Sequence, residues 1–130
     1  MRNLSFALTT AQVRARTKTV TRRRGTWWAR VLKPGDLLCA VEKSQGIPKG
    51  GLVRLGTIRV ASVRTERLNL VSDPGPLAGE YGPHGFDETA REGFPGWGGG
   101  AFVKMFLEHM GGDYRQVVTR IEFEYVDGAA

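Results

Sequence analysis

The chain has 130 residues, 41% of them hydrophobic, and its 19 Lys or Arg outnumber its 13 Asp or Glu to give a formal net charge of +6. That length suits one domain, residues 1–130, with a single modest core. No run approaches the eighteen apolar residues of a membrane span and the N-terminus lacks a signal-peptide pattern, so a cytoplasmic protein with no membrane partner is expected.

In chain order, Asn3 to Leu8 alternates weakly and predicts a first strand with Leu4, Phe6 and Leu8 on one side. Thr9 or Thr10 offers a helix cap, and Gln12 to Arg16 fits one or two helical turns. The segment from Thr17 to Thr21 is rich in β-branched residues and favours extended backbone. It belongs to the most basic part of the chain: residues 1–35 hold nine Lys or Arg and no acid, whereas residues 36–130 hold ten basic and thirteen acidic side chains. Positive charge this local steers an anionic partner rather than merely keeping the protein soluble. Trp27 and Trp28 follow, and on a strand they would face opposite ways, one to the core and one outward. Lys33-Pro34-Gly35-Asp36 is a turn signal placed before the apolar run Leu37 to Val41, a buried strand.

Ser44 to Gly51 reads as a loop and Thr57 to Arg64 as a half-buried strand, which Leu68 and Leu70 continue or border. Residues 74–100 hold nine glycines and four prolines and read as a loop region, interrupted by a short helix over Asp87 to Glu92 that Gly93 ends. Ala101 to Met110 is the best helix, its Phe102, Met105, Phe106 and Met110 stripe suited to core packing. Val117 to Val126 alternates as a strand, and its uncharged start at 117–119 would pair with a second copy if it lay at an edge; the oligomeric state is otherwise open. About five short strands and two or three short helices, not regularly interleaved, predict a mainly β fold with a mostly antiparallel sheet curled toward a barrel.

Candidate chemistry starts with Lys18 and Thr21. A threonine hydroxyl becomes a nucleophile when a base takes its proton, and a lysine serves as that base when burial or nearby positive charge, here Arg16, Arg22 and Arg23, lowers its pKa. On a straight strand residues 18 and 21 point to opposite faces, so the pair can converge only if the backbone departs from β geometry near Thr19. Read without chemistry, the threonines are strand formers and Lys18 is a phosphate contact. Glu92, followed by Gly93-Phe94-Pro95, is the carboxylate best placed to hold Lys18 or orient a water. For nucleic-acid or substrate binding the candidates are Arg16, Arg22, Arg23 and Arg24 for phosphate, with Trp28 or Trp97 stacking on an unpaired base.

His84 and His109 are twenty-five residues apart with no cysteine near them, and make no convincing metal site. Cys39, the single cysteine, is read as a buried structural thiol and excludes intrachain disulfides by count. No phosphate loop, dinucleotide glycine motif, RNA-recognition aromatic signature or zinc finger occurs, so neither metal nor cofactor is expected.

The chain resembles the ASCH domain family, small proteins related in fold to PUA-like RNA-binding barrels. The resemblance rests on Lys18-Thr19-Val20-Thr21-Arg22-Arg23, on Lys33-Pro34-Gly35-Asp36-Leu37-Leu38, on Glu92-Gly93-Phe94 and on Ile121-Glu122-Phe123-Glu124-Tyr125. It implies an α+β, mainly β barrel of five or six strands with peripheral helices and a cleft lined by the Lys-Thr-Arg segment. Family members include amidohydrolases that deacetylate N4-acetylcytidine, and others proposed as ribonucleases or RNA binders. The resemblance makes Lys18 the activating base, Thr21 the nucleophile, Glu92 the assisting carboxylate and Arg23 the motif's terminal arginine. Its implied partners are a modified nucleoside or single-stranded RNA. Where the family usually has glycine two residues before the lysine, this chain has Arg16, and its inserts near Gly46 and over 75–100 exceed those of the smallest amidohydrolases.

Overall fold

The computed structural model describes residues 1–72, 81 and 83–126. Among these residues five strands form one mixed sheet: β1 (Arg2–Ser5), β2 (Val20–Arg24), β3 (Leu37–Val41), β4 (Arg54–Arg67) and β5 (Val117–Tyr125), in the order β1-β3-β4-β5-β2. β1 runs parallel to β3, and every other pairing is antiparallel. The register slips at Ala40/Val41 and again at Val60/Ser62. An extra residue on one strand bends it and increases its twist, and the fourteen-residue β4 carries both of these irregularities, so the sheet curls into a half-barrel. The curl leaves β1 and β2 as its two free edges.

Short helices ring the sheet: α1 (Thr10–Arg14), α2 (Trp27–Val31), α3 (Phe86–Arg91) and α4 (Gly99–Met110), with a 3₁₀ turn over Leu68–Val71. On one face Leu4, Phe6, Leu38, Ile58, Ile121 and Phe123 form the main core. On the other, Leu68, Val71 and Val118 pack against Phe102, Val103 and Phe106 of α4.

Several sequence expectations change here. β1 stops at Ser5, and Leu8 is exposed rather than continuing the apolar side. Trp27 and Trp28 lie on a helix, because Gly25 at φ +74 turns the chain out of β2; the two rings meet edge to face at 4.8 Å. Leu68 and Leu70 belong to the 3₁₀ turn, not the sheet. Residues 73–80 and 82, in the first half of the glycine-rich stretch, lie outside the described residues; Gly85 to Gly100 is mostly α3, a tight turn and the start of α4. β5 lies between β4 and β2, so residues 117–119 offer no free edge.

Gly99 starts α4 where that helix crosses the 3₁₀ turn, and a Cβ there would strike the Val71 carbonyl. Gly99→Ala is expected to cost about 1–3 kcal/mol by overpacking. A lower urea midpoint with unchanged slope is the measurement that shows it.

Candidate functional site

The tract around Lys18 does leave β geometry. Arg16 sits in the left-handed region at φ +60, which glycine adopts without cost and which L side chains rarely take. The chain then rises past Lys18, and regular strand pairing begins at Val20.

This irregular segment is tied to the acidic turn that follows α3. Thr19 donates its N–H to the Arg91 carbonyl at 2.8 Å, and the Gln12 side-chain amide donates to the Gly93 carbonyl at 3.2 Å. Gly93, at φ +101, brings the Gln12 side chain to 3.0 Å from where a Cβ would stand. The Tyr125 hydroxyl donates to the Lys18 carbonyl at 2.6 Å. With the backbone held on both sides, the Lys18 ammonium donates to the Glu92 carbonyl at 2.6 Å and to its Oε1 at 3.0 Å. Lys18 is 3% exposed and Glu92 2%.

Lys18, Thr21 and Glu92 line one cleft of about 510 Å³, at the seam where β1 and β2 fail to pair. Asn3 and Ser5 of β1 form one bank and Thr21 to Arg23 of β2 the other. Arg23 spans the seam, donating to the Ser5 carbonyl at 2.6 Å and lying over the Phe6 ring at 5.1 Å. It also donates from Nε to Thr21 Oγ1 at 3.2 Å. That hydroxyl thus accepts from a cation and keeps its own proton to give. Among the described residues no hydrogen bond joins Lys18 to Thr21; the two share the cleft wall.

Burial pushes the Lys18 amine below the ordinary lysine value; Glu92 opposes this, and Arg23 and Arg22 reinforce it. Burial likewise pulls Arg23 down to about 10, against the pull of Glu92.

Arg22 points the other way. Adjacent strands place Arg22 opposite Arg120, and Arg120 opposite Arg64, in a transverse row of three like charges. Such a row repels itself unless acids are interleaved. Arg22 lies 2.6 Å from Glu88 Oε2, 2.7 Å from Glu92 Oε2 and 3.1 Å from Glu66 Oε2. Arg120 grips both Glu88 oxygens, at 2.6 and 3.2 Å. Tyr81 covers the row, its hydroxyl accepting from Arg64 at 2.6 Å and donating to Glu66 at 2.5 Å. Burial works against the Glu88 carboxylate, yet Arg120 and Arg22 outweigh it and hold the group down at about 2.

The remaining candidates fall as follows. Trp28 is half-buried and lines the cleft. Trp97 does not; it stacks on Phe94, a cleft-wall residue, at 4.6 Å between ring centroids. Arg16 lies over the Tyr125 ring at 5.6 Å, outside the cleft. Arg24 donates to the Met110 carbonyl at the end of α4 and to Gln116. The α4 stripe is core packing, as its spacing suggests, but Phe102, Met105 and Phe106 also wall the cleft. Periodicity marks a buried stripe without marking which part of it faces a cavity.

Among the described residues no cluster of His, Cys, Asp and Glu is placed to hold a metal ion, and no helix is long and apolar enough to cross a membrane.

The fold is also found among solved structures. The chain superposes on an ASCH domain from Lactobacillus crispatus JV V101 with a TM-score of 0.58 at 12% identity, covering 95% of this chain and 78% of that one. A hypothetical protein, PH0355, matches with a TM-score of 0.55 at 17% identity over 96% of both chains. The likeness to both is one of fold. No family model and no curated protein matches its sequence.

Proposed function

We propose that this is an RNA- or nucleoside-associated domain whose cleft takes a modified nucleoside and hydrolyses an amide on its base, N4-acetylcytidine being the substrate to try first. The observation that carries this reading is a single cleft wall bearing a nearly dehydrated lysine held on a glutamate, beside a threonine whose hydroxyl already accepts from Arg23. The cleft volume suits one small ligand rather than a polymer.

Neutral Lys18 takes the Thr21 proton as Oγ1 attacks the acyl carbon, and the ammonium then returns that proton to the leaving exocyclic amine. Water cleaves the resulting threonyl ester, releasing acetate and restoring the hydroxyl. The phase of the ladder supplies an oxyanion donor. Phe123 donates to the Thr19 carbonyl and Gly25 to that of Val117, so odd-numbered β2 residues face β5 and the N–H of Arg22, next to Thr21, faces the seam.

An open phosphate-binding groove has less support. The Arg22 charge is spent on carboxylates and Arg24 is engaged at the end of α4.

Incubation with N4-acetylcytidine should release cytidine and acetate, while Thr21→Ala folds normally and releases neither. Because Lys18 acts neutral and its pKa is lowered, the rate should rise with pH and level off below the pH at which an ordinary lysine titrates. Release no faster than the Thr21→Ala control would rule the reaction out.

A further inference from the structure

No step above uses the Arg22 side chain, although it is fully enclosed. Its NH1 holds Glu92 Oε2 at 2.7 Å, while the other Glu92 oxygen takes Lys18 at 3.0 Å. Behind Arg22, Glu88 and Glu66 fix the rest of the guanidinium, and Arg120 in turn anchors Glu88. Among the described residues Arg22 Nε has no partner, so the grip on carboxylates comes from its two terminal nitrogens.

A carboxylate given wholly to one buried ammonium keeps the proton there, because opposite charge stabilises the charged form. We propose that Arg22 is a positioning residue that shares the Glu92 carboxylate with Lys18, so that Glu92 holds the amine in place without fixing the proton on it.

The groups facing that amine are Glu92, from the end of α3, and Arg22 and Arg23, from β2. Tyr125 of β5 reaches Lys18 at its carbonyl and not at its amine. Removing the Arg22 charge takes away a repulsion and returns the whole of Glu92 to Lys18; both effects raise the proton affinity of the amine. The inference rests on the reading of Lys18 as proton acceptor, but its test needs no substrate.

The experiment is an NMR titration of protein carrying ¹³C-labelled lysine, with the Lys18 ε-carbon assigned by its loss in Lys18→Met. In the wild type Lys18 should titrate below the other four lysines. Arg22→Gln should raise its pKa by about one unit or more, a tenfold gain in proton affinity. Arg22→Lys keeps a charge without the planar fork and should raise it by less. An unchanged or lower Lys18 pKa in whichever variant folds overturns the proposal. So does failure of both variants to fold, which would leave Arg22 a scaffold residue alone. A shift as expected in a protein inert toward N4-acetylcytidine would remove the reaction and keep the positioning role.

Discussion

Lys18→Met is expected to lower kcat/KM for N4-acetylcytidine by about 10²–10⁴-fold, the usual worth of a positioned general base. The substitution keeps the length of the side chain and removes the amine. Glu92 is not stranded by it, because Arg22 still holds Oε2 at 2.7 Å and the carboxylate remains paired. The fold should therefore survive, since the large cost of breaking a buried pair comes from leaving a charge uncompensated, and Glu92 keeps a buried cation. Steady-state kinetics beside a thermal melt separates the two effects. A variant that melts like the wild type but turns over at the same rate would remove Lys18 from the chemistry.

Glu88→Gln is expected to have the largest effect on stability. Glu88 has no exposed side-chain surface and stands between Arg22 and Arg120, within 2.6 Å of each. Without its charge, two buried guanidiniums repel across adjacent strands. Breaking a buried pair in this way costs about 3–5 kcal/mol, a large share of the roughly 5–15 kcal/mol that holds a typical domain folded. Urea denaturation would measure the loss. The sign of its pH dependence follows from a folded carboxyl held at about 2 against an ordinary 4.5. The stabilisation is fully present above the ordinary value and is lost as pH falls from there through about 2. Glu88→Gln should accordingly lose less stability on acidification than the wild type does, and parallel acid titrations of the two would deny the group this role.

The strands at Leu37–Val41 and Val117–Tyr125 and the helix at Gly99–Met110 were legible in the sequence, because each carries an uninterrupted apolar run or period. The tryptophan pair was not. Its helix is a single short turn started by a glycine bend, and five residues hold too little periodicity to separate helix from strand. The burial of Arg22, Arg120 and Glu88 was not legible either. Only their mutual neutralisation makes such burial tolerable, and partners thirty to seventy residues away leave no local signal.

The sequence by itself determined the mainly β class, the turn into β3, the concentration of positive charge in the first thirty-five residues and the identity of the lysine, threonine and glutamate to examine. Those features are local: composition, spacing and short-range pattern carry them. Tertiary structure decided where the positive charge goes. It turned Arg22 inward onto three carboxylates and left Arg23 across the seam. Bringing Lys18 against Glu92 required the left-handed turn at Arg16 and the bonds from Thr19 and Gln12 to the far segment, contacts that exist only once the sheet has curled.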